Sequence, residues 1–345
     1  MLIRMMKGMV KKYGWKFLIY GGIGKLISLT IFVGILGHWY GGLLKNEEAV
    51  AAIYLTPGSS IEEMLAEVDS AVSKAGGHGD RLARVLWVRG WDNRLKPGKY
   101  ELNGSLSIGE AAKKLVTGER FEVKVVVPSS RELEIIAGKI ASPIYADSVE
   151  VLRLIEPDSI RWQIIPNTYN MYWETDAEGA VDRLLKESAK WWTEERVSKA
   201  NAQGLTPEEA VIVASIVQAE TKSLSEAPTV AGLYLNRLRK GQALQADPTV
   251  IYAVGDAAIR RVLREHLSFE SPYNTYIHTG LPPGTIRTPE PTFIEAVLNA
   301  EEHGYLYMCA EPGRTGKHSF ATNFRQHKRN ARAFQRWLDS EGIYK

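Results

Sequence analysis

Apolar residues fall along this chain first as one long block and then with the spacings of strands and helices. The block is Phe17–Leu44, "FLIYGGIGKLISLTIFVGILGHWYGGLL", interrupted by Lys25 and His38. "AVAAIYLTPGSSIEEMLAEV" follows and reads as a strand, a turn at Pro57-Gly58, and a helix capped by Ser59 or Ser60. "RVLWVRGWDNRLKPGKYELNG" is strand-like with a turn at Pro97-Gly98, and "LSIGEAAKKLVTG" predicts a short helix ended by Gly118. Two strands and two helices within about 70 residues make a small α+β module. "FEVKVVVPSS" is a strand of β-branched residues leading to Ser130, which is placed to cap a helix bearing Glu132 and Glu134. Residues 145–200 read as helical with one break at "IIPNTYNMYW". From Thr206 the signals sharpen. Thr206, Pro207 and Glu209 form a capping box with proline at the first helical position, and a second helix runs from about Pro228 to Lys240, closed by Gly241. The pattern shows no internal repeat and no low-complexity linker.

The helix starting at Thr206 raises a chemical question. Ala210–Val217 is apolar nearly all round, broken only by Ser215, so the helix is expected to be buried. Glu220 follows it, sharing a face with Val213, Ile216 and Val217 at spacings of seven, four and three residues. A carboxyl held against such a surface loses hydration, and its pKa rises toward that of a general acid at neutral pH. Periodicity alone favours the exposed end of an ordinary helix, with Thr221 and Lys222 beyond it.

Composition narrows the setting. The 345 residues are 45% hydrophobic and 24% charged, as in an ordinary folded protein with room for two modest domains. A net charge of +3 and the lack of a long Lys/Arg run argue against a nucleic-acid partner. The single cysteine, Cys309 in "YLYMCA", excludes an internal disulfide and reads as a buried strand residue. Arg4, Lys7, Lys11, Lys12 and Lys16 precede the apolar block, and no acidic residue occurs before Glu47. A spanning helix needs roughly 20 mostly apolar residues. Residues 17–44 are therefore expected to anchor the chain in the inner (cytoplasmic) membrane, with residues 1–16 a cytoplasmic tail and the body extracytoplasmic. The rival is a cleaved signal peptide ending near "AVA" at 49–51; that triplet sits behind "KNEE", and the apolar stretch exceeds a usual signal core.

Two downstream segments suit a sugar. "LQADPTVIYAVG" sets Gln245 and Asp247 beside a proline-fixed helix start, where Asp247 taken alone reads better as an ordinary N-cap. "SPYNTYIHTGLPPGTI" gathers Tyr273, Asn274, Thr275 and Tyr276 next to a rigid Pro-Pro turn. Rings can underlie a pyranose while amides and hydroxyls meet its OH groups, although such residues also dominate plain surface turns.

Taken in order, "ASIVQAET", "LYLNRLRKGQALQADPTVIYAVG", "SPYNTYIHTGLPPGTI" and "YLYMCAEPGRTGKHSFATNFRQH" resemble the endolytic murein transglycosylases of the MltG (YceG-like) type. The resemblance covers roughly residues 50–338 and is densest over 206–327. It implies an α+β protein with one N-terminal transmembrane helix, a LysM-like module over 50–120, and a mixed α+β catalytic domain over 121–345. It implies Glu220 as the catalytic glutamate and Gln245, Asp247, Tyr273, Asn274, Thr275 and Tyr276 as substrate-binding residues. His318 and His327 match the family's "G-x-H-x-F … H" and are read as structural or substrate-side hydrogen-bonding residues. There are two departures from the family pattern. Gln218 replaces the first glutamate of "EKET", about 160° round the helix from Glu220. "RWQIIPNTY" at 161–169 lacks the family's Glu-Gly and Asp, which leaves that loop to line or support the cleft.

The implied reaction is cleavage of the MurNAc–GlcNAc β-1,4 bond with formation of a 1,6-anhydro-MurNAc end, limiting the length of nascent strands. One carboxyl suffices, because the sugar's own C6 hydroxyl replaces water and a second carboxylate. No cofactor is expected, since no glycine-rich phosphate loop or Schiff-base lysine context occurs, and no ligand spacing calls for a metal. Expected partners are peptidoglycan glycan strands and peptidoglycan synthases. The alternatives are an anchored, non-catalytic peptidoglycan-binding scaffold and a hydrolytic muramidase.

Overall fold

The computed structural model describes residues 22–343 apart from 35, 38, 40, 257, 260 and 261. These form two compact units, one running to Glu122 and including Tyr172–Glu174, the other made of Val123–Met171 and Thr175 onward. The architecture is mixed α+β, with helices predominating over three two-stranded sheets among the described residues.

In the first unit, β1 (Val50–Leu55) pairs antiparallel with β2 (Gly98–Asn103), Val50 opposite Asn103 and Leu55 opposite Gly98. Alternation turns Ala51, Ile53 and Leu55 of β1, and Gly98, Tyr100 and Leu102 of β2, to the buried side. α1 (Ile61–Lys74), α2 (Gly79–Val88) and α3 (Ile108–Thr117) complete that core through Val68, Leu82, Leu86 and Leu115. Ser60 and Ser107 each close a capping box, with Glu63 and Glu110. Gly118 ends α3 in a left-handed conformation, φ 77°, that favours glycine. "RVLWV" is helical, not strand-like: it is the last turn and a half of α2. Leu82, Val85 and Leu86 recur at helical spacing and bury together, while Trp87 and Val88 point outward at 66% and 70% exposure.

The expected tail and residues 17–21 of the expected membrane span lie outside the described residues. Residues 22–34 are helical and exposed, and among the described residues no helix is long and apolar enough to cross a membrane.

The second unit begins at Val123 within β3 (Glu122–Val127), which pairs with β4 (Asn167–Tyr172). Between them lie α4 (Leu133–Ala141), α5 (Ser148–Ile155) and the short α6 (Asp158–Arg161). The break expected in "IIPNTYNMYW" is thus a strand, because Tyr169 and Met171 alternate inward onto Val125, Ile136 and Val151. α4 starts three residues after Ser130, whose Oγ accepts the Glu132 N–H at 3.1 Å in a local turn, leaving Glu132 at the cap position. α7 (Ala177–Trp191) and α8 (Glu194–Ala202) lead to α9 (Pro207–Glu220), which is buried from Ala210 to Gln218. Around it pack α10 (Ala227–Arg239), α11 (Asp247–Val254) and, after the short α12 (Arg264–Leu267), α13 (Pro291–Leu298). A hairpin of β5 (Tyr307–Ala310) and β6 (His318–Ala321) carries α14 (Phe324–Ser340) against it.

The capping box at Thr206 is complete: its Oγ1 accepts the Glu209 N–H at 3.2 Å, and its own N–H donates to Glu209 Oε2 at 2.7 Å. Thr206→Ala is expected to lower stability by about 1 kcal/mol. Urea unfolding with an unchanged m-value checks this, and an unshifted midpoint counts against the cap as an anchor of α9.

Candidate active site

α9 ends on Glu220 and has no basic residue in its last turn. The partial negative charge at a helix C-terminus disfavours a carboxylate there. Desolvation adds the larger effect and, with help from nearby Asp247, raises the Glu220 carboxyl from 4.5 to about 7. The Tyr234 hydrogen bond and the positive charges of His318 and Arg237 pull the other way. Tyr234, on α10 and 2% exposed, donates its hydroxyl to Glu220 Oε1 at 2.7 Å. Burial lifts the Tyr234 phenol well above its ordinary value, so it remains a donor. Glu220 itself keeps partial solvent exposure where it meets a cavity of about 230 Å³.

That cavity is lined by Glu220, Tyr234, Arg237, Gln245, Asp247, Tyr276, Cys309 and His318, with Leu233, Leu244, Met308 and Ala310. Asp247 is the first residue of α11 and does not cap it; Ala246 stands at the cap position. Instead Asp247 Oδ1 accepts the Tyr276 hydroxyl at 2.6 Å. Gln245 holds a left-handed backbone, φ 51°, a conformation that costs a residue with a Cβ about 1 kcal/mol. Its N–H donates to the Thr275 carbonyl at 3.1 Å, and the Ala246 N–H donates to Thr275 Oγ1 at 3.1 Å. The loop thus clamps Gln245 and Asp247 at the cavity edge.

Of the seven residues expected at the site, Glu220, Gln245, Asp247 and Tyr276 share this cavity. The other three stand outside its lining. Asn274 is fully buried, with Nδ2 donating to the Leu267 and Phe269 carbonyls at 3.1 and 2.9 Å and Oδ1 accepting the Tyr276 N–H at 3.0 Å. Thr275 is 2% exposed and shares a hydrogen bond with the Thr249 hydroxyl at 2.8 Å. Tyr273 donates to Asp158 Oδ1 at 3.0 Å and packs its ring on Tyr252. Gln218 turns to another flank of α9, where its amide joins Ser129 Oγ (3.2 Å) and the Glu290 N–H (2.8 Å). In "RWQIIPNTY", Arg161 donates to the Tyr252 hydroxyl at 2.8 Å and so braces α11.

Sequence reasoning missed Tyr234, Arg237 and Glu226. Arg237, 9% exposed, donates Nε–H to the Leu306 carbonyl at 2.7 Å and Nη1–H to the Leu244 carbonyl at 2.6 Å. It is a buried cation held by backbone oxygens. Glu226, 7% exposed, accepts the His318 N–H at 2.7 Å on Oε1. Its Oε2 meets His318 Nδ1 at 2.9 Å and the Thr221 hydroxyl at 3.1 Å. With a carboxylate oxygen as its partner, His318 Nδ1 is the ring nitrogen that donates. The one cue was "LYLNRLR", where Tyr234 and Arg237 stand three apart in an apolar helix. His327 lies outside the lining, its ring stacked on Tyr307 at 5.4 Å. Burial raises the Cys309 thiol, which makes it a poor nucleophile.

As a general acid, Glu220 works when protonated, so activity is expected to fall as pH rises through about 7. The Tyr234 hydrogen bond favours the charged carboxylate, so Tyr234→Phe is expected to move that fall to higher pH. A kcat–pH profile with an unmoved or lowered alkaline limb contradicts this.

Comparison with known proteins places the chain in a family. The YceG-like family matches residues 53–333. The chain belongs to the YceG-like family. Two relatives of this chain carry the name endolytic murein transglycosylase. The one from Bacillus subtilis (strain 168) is 26% identical over 262 residues, spanning 68% of this chain and 72% of the relative. The one from Streptococcus pneumoniae serotype 2 (strain D39 / NCTC 7466) is 24% identical over 355 residues, 88% of this chain and 64% of the relative. The 2.6 Å crystal structure of a yceG-like protein from Listeria monocytogenes shares the fold, with TM-score 0.50 and 23% identity. That match covers 82% of this chain and 99% of the other.

Proposed function

We propose that this chain is a lytic transglycosylase that cleaves the glycan strands of peptidoglycan, with Glu220 as its general acid. The observation that carries the reading is one carboxyl, raised to about 7, facing a cavity edged with phenol, amide and carboxylate groups. The names of the relatives supply the substrate.

In the proposed reaction the Glu220 proton passes to the glycosidic oxygen between MurNAc and GlcNAc as the bond to the anomeric carbon breaks. The MurNAc C6 hydroxyl then bonds to that carbon, and its proton returns to the Glu220 carboxylate. The products are a GlcNAc hydroxyl and a 1,6-anhydro-MurNAc end, with no water consumed. Tyr234 fixes Oε1, leaving Oε2 as the oxygen that carries the proton. Gln245, Asp247 and Tyr276 hold the sugar, while Tyr273, Asn274 and Thr275 act by shaping the loop that presents them.

The reading extends to the rest of the chain. Of the span expected at 17–44, the part before Leu43 is a single inner-membrane anchor, while Leu43 and Leu44 at its end are buried in the first unit's core with Ile53 and Val68. Residues 1–16 are a cytoplasmic tail, 50–120 a LysM-like module and 121–345 the extracytoplasmic catalytic domain. The basic residues ahead of the apolar block support this orientation. So placed, the enzyme works beside peptidoglycan synthases and limits the length of nascent strands. Incubating the purified chain with uncrosslinked glycan tests the enzyme against its rival. Shortened strands are expected, whereas binding without shortening establishes the scaffold reading.

A further inference from the structure

Several cations on other helices of the second unit pair with carboxylates one turn away. Lys186 meets Asp182, Lys199 meets Glu195 and Arg183 meets Glu187, each at i,i+4 spacing. α14 carries no such pairs among its basic residues. Arg325, Lys328, Arg329, Arg332 and Arg336 are all exposed, and among the described residues none forms an ion pair with a carboxylate. At 100° per residue the five fall within one face about 100° wide, reaching about 16 Å from Arg325 to Arg336. The opposite face meets the hairpin: His327 stacks on Tyr307, and Asn330 donates to the Phe320 carbonyl at 3.3 Å.

This stripe works against the helix that carries it. Arg325 with Arg329, Lys328 with Arg332, and Arg332 with Arg336 are like charges at i,i+4, an arrangement that destabilises a helix. Arg325 and Lys328 also stand in the first turns, where the helix dipole favours anions and where α14 has no acidic residue. The helix's one acid, Asp339, lies on the same face three residues beyond Arg336, accepts from Gln335 at 2.9 Å, and among the described residues forms no ion pair with any of the five. A purely solvated surface needs no such concentration. A surface that meets a polyanion does, because the partner's charges cancel the repulsion.

We propose that the basic stripe of α14 binds the carboxylates of the stem peptides that hang from peptidoglycan glycan strands, holding the polymer while its glycan occupies the cavity. This rests on the reading of peptidoglycan as substrate and deepens it. Carboxylates recurring along the polymer match a row of cations spaced by single helical turns. The stripe also belongs to the unit that carries the Glu220 cavity, and α14 packs on the hairpin whose Cys309 and His318 line it. That location favours the substrate over a lipid surface.

The test uses the full chain in detergent with Glu220→Gln, so that insoluble peptidoglycan stays intact during binding. Its affinity is compared with that of a form in which Arg325, Lys328, Arg329, Arg332 and Arg336 are all changed to Gln. At about 0.1 M salt the substituted form is expected to bind about tenfold more weakly, with the gap closing near 1 M salt as screening shortens. The gap should vanish on peptidoglycan whose carboxyls have been amidated, and replacing the four arginines with Lys should retain most of the binding. Equal affinity of both forms for native peptidoglycan, or a gap that survives amidation, overturns the proposal. A gap seen only on phosphatidylglycerol-coated beads assigns the stripe to lipid and overturns it too. Cleavage by the chain with Glu220 intact is scored separately. A stripe-dependent gap without any cleavage removes the catalytic reading alone, and cleavage without a gap removes this inference alone.

Discussion

Glu220→Gln is expected to lower kcat by roughly 10³-fold or more while leaving the fold intact. The amide keeps the shape of the side chain and still accepts the Tyr234 hydroxyl, but it has no acidic proton for the glycosidic oxygen. The same substitution should stabilise the protein at neutral and alkaline pH. The parent carboxyl sits near 4.5 when unfolded and at about 7 when folded, so the folded state binds its proton more tightly. Parent stability therefore falls as pH rises from about 4.5 to about 7, and the glutamine form escapes that loss. Thermal unfolding at about pH 8 should show the variant above the parent, the difference fading toward pH 4. A variant that is inactive and also destabilised at pH 8 points instead to a structural role for Glu220.

Glu226→Ala carries the second large effect. Glu226 is buried and accepts from the His318 N–H, its ring, and the Thr221 hydroxyl. Truncation leaves these donors unpaired around a void, at an expected cost of about 3 kcal/mol. It also frees the residue that follows Glu220 and the imidazole on the cavity wall, so kcat should drop in the molecules that remain folded. Glu226→Gln keeps the volume and one acceptor oxygen, and is expected to recover part of the stability. Urea denaturation of all three forms checks the order. An alanine variant within about 0.5 kcal/mol of the parent, the range of a surface change, contradicts the account.

Features written in neighbouring residues were legible in advance. Thr206, Pro207 and Glu209 mark the start of α9, and Gly118 the end of α3, because capping depends on residues within one turn. Glu220 was visible as a carboxyl beyond an apolar run, and the run is buried as its composition required. What stayed hidden depends on distant partners. Glu226 reads as a plain acid before a helix, and its role exists only because His318, 92 residues later, folds back onto it. Tyr234 and Arg237 lie within an apolar helix, and their polar ends acquire meaning from Glu220 and from the Leu244 and Leu306 carbonyls. Asp247 looked like a cap until Tyr276 took its oxygen. "RVLWV" is strand-like in composition, yet helical packing of Leu82, Val85 and Leu86 overrides that preference.

The most direct test of the central claim is the chemistry of the new chain end. Uncrosslinked glycan is digested by the purified chain in water enriched in oxygen-18, and the MurNAc ends are weighed by mass spectrometry. Intramolecular attack by the C6 hydroxyl predicts anhydro ends, one water lighter than a free reducing end and carrying no label. Reducing ends that carry oxygen-18 show that water was the nucleophile, and they contradict the assignment of this cavity to a lytic transglycosylase.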